Sequence, residues 1–201
     1  MSARIAVLVS GGGTNLQALI DAQTSGVLHS GRICLVVSNV TGAYALERAK
    51  KAGIHGVTLL KKQLGRQEAF EAALQAELEA YQIDVIVLAG FMTILSGNFT
   101  GRWPKRILNI HPALIPSFCG EGFYGLRVHQ AALDYGVKVT GATVHFVNQI
   151  PDGGEIIAQK AVDVLPGDTP ETLQRRVMEQ AEWILLPQAT EAVCAALSVE
   201  R

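Results

Sequence analysis

The segment Ile107-Leu108-Asn109-Ile110-His111 ends in an amide and an imidazole two positions apart. On a strand this spacing puts both side chains on one face, with Cα atoms ~6.5 Å apart. A carboxamide and an imidazole aimed at one carbonyl suit acyl transfer, because the tetrahedral adduct develops negative charge on oxygen and needs donors already in place. His111 then donates or shuttles the proton. From local spacing alone a second reading stands, in which Asn109 serves loop backbone and His111 merely precedes Pro112. Asp152 lies in Pro151-Asp152-Gly153-Gly154, where aspartate is also ordinary turn chemistry. If that loop folds over His111, the carboxylate is expected to raise the imidazole pKa and make it a proton donor near neutral pH.

A second constellation is Ser10-Gly11-Gly12-Gly13, between an apolar run and a helical pattern. Glycines let backbone approach a ligand closely, and a helix start offers unpaired N–H groups and partial positive charge, so the turn is expected to hold a phosphate. Continuing from Gly11, the dinucleotide spacing fails at Leu16, and the second strand ends in Ser38-Asn39 without an acidic ribose ligand. No lysine completes a triphosphate loop, so a phosphate monoester is the better match. His145 reads as a hydrogen-bonded core histidine or as support for the site, and His29 and His55 as solvent-facing; His129 falls on a helix with no role assigned. The five histidines lack metal-ligand spacing, so no metal is expected. Cys119 carries no local signature of a nucleophile.

These groups need a scaffold, and 201 residues suit one α/β domain. Hydrophobic residues make up 49% and charged residues 17%, which supports a large core and excludes disorder as the dominant state. Seventeen basic against eighteen acidic residues leave a net charge of -1, no field for a nucleic-acid backbone or an anionic membrane. Apolar runs fall short of a membrane span and of a signal-peptide core, so a cytoplasmic protein is expected. Three cysteines without C-x-x-C spacing suggest reduced thiols. Strands are predicted over 4–9, 33–37, 57–60, 85–89 and 107–111, with helices opening at Asn15 and over 43–52 and 67–81. Unbroken Val/Ile/Leu strands alternating with helices imply a doubly wound, mostly parallel sheet with helices on both faces, Rossmann-like in its first half. Beyond it come a loop to Gly125, a helix over 126–135 and two adjacent strands over 141–147 and 156–162. A last helix starts at Asp168 or Thr169 and is expected to be perturbed at Pro187.

The strings Ser10-Gly11-Gly12-Gly13-Thr14-Asn15-Leu16-Gln17, Leu88-Ala89-Gly90-Phe91-Met92, Asn109-Ile110-His111-Pro112, and Thr143-Val144-His145-Phe146-Val147 with Asp152-Gly153-Gly154 resemble, in order, the phosphoribosylglycinamide formyltransferases. The resemblance runs over essentially the full length. It implies the formyltransferase fold and formyl transfer from 10-formyltetrahydrofolate to the amine of glycinamide ribonucleotide in purine synthesis. It further implies small-molecule substrates, no nucleic-acid or membrane partner, and a homodimer left open. Asn109, His111 and Asp152 match the family's catalytic trio. Gly13, Thr14 and Asn15 match its phosphate ligands, and Arg66 a substrate-contacting position. Met92, Thr93, Ile94 and Leu95, with Asn109 and with Asn148, Gln149, Ile150, Pro151 and Asp152, match the walls around the folate. The resemblance thus divides one domain, 1–201, into a phosphate-binding half to about 100 and a half carrying the catalytic and folate loops. Many relatives have Arg where this chain has Thr93, and the 117–125 loop is longer than in some. The acidic ligand on the last helix corresponds to Glu182 through a one-residue insertion after Gly167, with Glu179 the competing candidate. Sister enzymes that hydrolyse the same donor or formylate an aminoacylated RNA usually carry an added domain, which this length does not accommodate.

Overall fold

The computed structural model describes residues 2–199. Its strands are β1 Ala3–Val9, β2 Gly31–Ser38, β3 His55–Thr58, β4 Val85–Leu88, β5 Ile107–His111, β6 Val139–Phe146 and β7 Ile156–Asp163. They form one sheet in the order β3-β2-β1-β4-β5-β6-β7. The first five run parallel, while β6 is antiparallel to β5 and β7 antiparallel to β6. The helices are α1 Thr14–Ser25, α2 Tyr44–Lys51, α3 Lys61–Leu64, α4 Gln67–Ala80, α5 Gly97–Thr100, α6 Leu126–Tyr135, α7 Pro170–Val177 and α8 Trp183–Val199. A π-helical turn, Met178–Glu182, joins α7 to α8.

Period two decides which side chain meets which layer. Ile5, Val7 and Val9 of β1 pack with Leu16 and Leu19 of α1 and Leu185 and Leu186 of α8 on one face. Ala6 and Leu8 meet Phe70, Leu74 and Leu78 of α4 on the other. Strands covered on both faces need no polar alternation, which is why β1 and β4 read as continuous apolar runs. In β5, Leu108 and Ile110 join the first core and Ile107 the second, so Asn109 and His111 fall on the α4 side of the sheet.

Several predicted boundaries shift by one or two residues, those of β2 and β6 among them. β3 begins two residues before the predicted run and ends at Thr58, because pairing Leu35 with His55 through Ser38 with Thr58 sets its extent. As an edge strand with His55, Gly56 and Thr58 exposed, it carries little apolar signal. The final helix is disturbed before Pro187, which lies inside α8. Pro187 has no N–H for the carbonyl of Trp183, where the wider π turn ends. Thr169 is the N-cap, in a reciprocal capping box with Thr172.

Candidate active site

In an open α/β sheet, ligands bind beyond the carboxyl ends of the strands where the strand order reverses. Here that point lies between β1 and β4, and the register continues it: Leu8 pairs with Leu88, Leu88 with Asn109, and Asn109 with His145. Into this edge open the glycine turn after β1, the 89–96 loop after β4, and His111 at the end of β5.

The structure brings Asn109, His111 and Asp152 together. Asp152 comes from the turn between β6 and β7, and one of its carboxylate oxygens, Oδ2, lies 3.4 Å from His111 Nδ1. Asn109 Nδ2 donates to Asp152 Oδ1 at 3.4 Å and sits 3.1 Å from His145 Nε2. His145 Nδ1 donates to the Phe146 carbonyl at 2.8 Å, and its Nε2 also lies 3.5 Å from Asp152 Oδ1. The backbone N–H of Gly120 donates to Asp152 Oδ2 at 2.9 Å, and His111 Nε2 donates to the Phe118 carbonyl at 2.8 Å. Asp152 and Phe118 both hold positive φ, 54° and 49°. Such conformations persist where surrounding contacts over-determine them, and aspartate tolerates the region better than phenylalanine. The turn after Asp152 needs Gly154, whose absent Cβ leaves room for the Phe146 carbonyl.

The expected rise in the His111 pKa is overturned. Burial, the largest influence, lowers it, Asp152 and the Phe118 carbonyl raise it, and His145 lowers it, leaving the pKa below its ordinary value. His111 is 4% exposed, so its charged form loses most of its hydration. For Asp152, burial pushes the carboxyl up, but His145, His111 and the Gly120 N–H together bring it below its ordinary value. An ionised Asp152 therefore faces a largely neutral His111. Burial also raises the Cys119 thiol, the wrong direction for a nucleophile.

At the glycine turn, Gly13 adopts φ 72° at the N-cap of α1, and a Cβ there would stand 2.6 Å from that of Ala45. Neither the conformation nor the space admits a side chain. Asn15 Nδ2 donates to Glu182 Oε2 at 2.7 Å, and Thr14 Oγ1 lies 3.9 Å from Met178 Sδ. The π turn thus carries Glu182 to the glycine turn, whereas Glu179 is exposed and pairs with Arg175. Glu182 is 6% exposed, and burial pushes its carboxyl up to about 7 against the opposing Asn15 bond. Arg66 stands exposed at the N-cap of α4, and among the described residues no ion pair ties it to the glycine turn.

The two expected folate walls line separate cavities. Met92, Thr93, Ile94 and Leu95 line one of about 470 Å³ with Lys61, Gln67 and Ser96. Asn148, Gln149 and Ile150 line another of about 420 Å³ with Gly97, Lys105 and Phe146. Pro151 and Asp152 line neither. Gly97, which follows Ser96 of the first cavity, lines the second, and a Cβ there would come 3.1 Å from Gln149 Oε1. Ser10 of the glycine turn and Asn39, which entered the sequence analysis only in excluding a dinucleotide, tie that turn to the first wall. Ser10 Oγ donates to Asn39 Oδ1 at 2.6 Å and accepts from the Met92 N–H at 2.8 Å, and Asn39 Nδ2 donates to Thr93 Oγ1 at 2.8 Å. Both lie at strand carboxyl ends, the one signal that pointed to them. Buried Glu71 ties the end of the first wall to α4, accepting from the Ser96 N–H and hydroxyl and from Gln67, all at 2.6 Å. Among the described residues no group of three His, Cys, Asp or Glu is placed to hold a metal ion, and no helix is long and apolar enough to cross a membrane.

A family model described as formyl transferase matches residues 3–190. A phosphoribosylglycinamide formyltransferase of Haemophilus influenzae is 43% identical over 177 residues, covering 88% of this chain and 81% of the relative. A trifunctional purine biosynthetic protein adenosine-3 of Bos taurus is 46% identical over 195 residues, 96% of this chain. The chain spans only 18% of that protein's length. Among solved structures, glycinamide ribonucleotide transformylase 1 from Symbiobacterium toebii superposes with a TM-score of 0.90 at 43% identity, covering 97% of this chain and 89% of that one.

Proposed function

Because the chain belongs to the formyl transferase family, we propose that it is a phosphoribosylglycinamide formyltransferase. It moves the formyl group of 10-formyltetrahydrofolate to the amine of glycinamide ribonucleotide. The observation that carries this reading is the meeting of Asn109, His111 and Asp152 at the strand edge that also holds the glycine turn. The first half of the chain then binds phosphate and the second supplies the chemistry.

The ribonucleotide phosphate takes the N–H groups of Gly13, Thr14 and Asn15, where the helix dipole favours an anion. Glu182 accepts ribose hydroxyls, Arg66 adds positive charge at the rim, and the donor's flat rings lie along Met92–Leu95 and Asn148–Asp152. Formyl transfer makes a bond from the amine nitrogen to the formyl carbon and breaks the bond from that carbon to N10 of the folate. One proton leaves the amine and one arrives at N10. Asn109 Nδ2 exchanges one of its present acceptors for the formyl oxygen and stabilises the charge that gathers there. When substrate displaces the Phe118 carbonyl, the Nδ1–H tautomer of His111 donates to Asp152 and Nε2 becomes the proton acceptor. His111 takes the amine proton as a base, the ionised Asp152 holds the resulting imidazolium, and the ring returns the proton to N10. A neutral resting imidazole suits this order.

The direct test is absorbance-monitored formation of tetrahydrofolate with and without the ribonucleotide. Turnover is expected only when both substrates are present. Turnover independent of the ribonucleotide would identify a hydrolase, and none under either condition a binding module.

A further inference from the structure

A phosphate cradle made of backbone N–H groups works only while its peptides stay turned the right way, and glycines resist turning least. In a trans peptide the carbonyl and the following N–H point in opposite directions, so a carbonyl held from behind fixes the N–H in front. Three consecutive peptides of the glycine turn are held in this manner. The Gly11 carbonyl accepts from the Ala45 N–H at 3.1 Å, and the Gly13 carbonyl from the Gln17 N–H at 2.9 Å. The Gly12 carbonyl is held by a side chain instead, accepting from Arg48 Nε at 2.8 Å. Ala45 and Arg48 lie three apart on α2, so one face of that helix grips two of the three carbonyls. The guanidinium is itself fixed: Nη1 donates to Gln17 Oε1 at 3.0 Å, and its carbon lies 5.0 Å from the centre of the Tyr44 ring. Among the described residues no hydrogen bond takes the N–H of Gly12, Gly13 or Thr14, and none of the ion pairs engages Arg48.

We infer that Arg48 is a positioning residue of the glycine turn, locking the Gly12–Gly13 peptide with its N–H toward the ribonucleotide phosphate. This rests on the formyltransferase reading above. Gly13 in the left-handed region, followed by the helical Thr14, is a backbone form whose successive N–H groups converge on an anion. A half-turn of the Gly12–Gly13 peptide would present a carbonyl oxygen to the phosphate in place of a donor. Arg48 acts through the backbone and far from the reacting groups, so its loss is felt in ribonucleotide binding and not in the rate of transfer.

The test is steady-state kinetics of the full chain and of Arg48→Met, which keeps an unbranched stem and removes the donors. The substitution is expected to raise KM for glycinamide ribonucleotide about tenfold, the worth of one hydrogen bond from a charged donor. The turnover number and KM for the folate donor should stay as in the unmodified enzyme. With glycinamide riboside, which lacks the phosphate, kcat/KM should be the same in both proteins. The tenfold ratio should persist in about 1 M salt, where a charge acting across solvent is screened within about 3 Å. Arg48→Lys, with the same charge and a less rigid set of donors, should fall between the two. Binding of inorganic phosphate, followed by NMR at the Gly13 and Thr14 N–H groups, should weaken by the same factor in Arg48→Met. An unchanged KM for the ribonucleotide in Arg48→Met, an equal loss with the riboside, or a defect that vanishes in about 1 M salt would overturn the assignment. Arg48-dependent phosphate binding at these N–H groups in a protein that transfers no formyl group would instead overturn the formyltransferase reading and leave the role of Arg48 standing.

Discussion

At the scale of single residues, the site sets burial against charge on one imidazole. Asp152 raises the His111 pKa and burial lowers it by more, so the ring rests neutral at neutral pH, as the proposed role of a base requires. Removing the carboxylate's charge should push the value further in the same direction. NMR titration of the His111 ring should place its pKa below 6.5 in the unmodified protein, and lower again in Asp152→Asn. A value above 6.5, or no change on substitution, would contradict the balance of burial and charge described for the ring. The residues that the structure brings together were legible in the sequence because their types are rare in such positions: an amide and an imidazole alternating within an apolar strand, and an aspartate between proline and glycines. The sign of the pKa shift was not. It depends on how little water reaches His111, which follows from the 117–125 loop lying over it, and nothing in that loop's composition announces its path.

At the scale of elements, the turn between α7 and α8 gives the protein a titrating carboxyl next to the glycine turn. Glu182 is raised to about 7 from 4.5 because it is buried. Its folded pKa exceeds its unfolded one, so the folded state holds the extra proton; this stability is complete below about pH 4.5 and is lost as pH rises through 7. Glu182→Gln keeps an acceptor for Asn15 and cannot ionise. Chemical denaturation from pH 5 to 8 should show the unmodified protein losing roughly 2.5 kcal/mol relative to Glu182→Gln over that range. Parallel stability curves would show that the carboxyl does not titrate there. The competition between Glu182 and Glu179 could not be resolved from helical periodicity, because a π turn rotates the residues after it away from a 3.6-residue register. Pro187 was visible in the sequence, but the place where the helix yields was not, since the helix absorbs the missing donor in the turn before. The parallel strands were legible from their unbroken apolar runs; edge strand β3 was misplaced for lack of one.

At the scale of the molecule, one sheet edge gathers the glycine turn, the 92–95 wall and the Asn109–His111–Asp152 cluster, and hydrogen bonds join the first two. Ser10, Asn39 and Thr93 make the glycine turn and the 92–95 wall a single piece, which in the proposed function holds the two substrates in fixed relation. Order of this kind converts a bimolecular attack into a nearly unimolecular one. The measurement that meets the central claim most directly follows a formyl carbon labelled with carbon-13 from the folate. The label should appear on the ribonucleotide amine in step with tetrahydrofolate, and about 10²- to 10⁴-fold more slowly in His111→Ala. Label released as free formate, or transferred at an undiminished rate by His111→Ala, would contradict a transfer carried out by these groups.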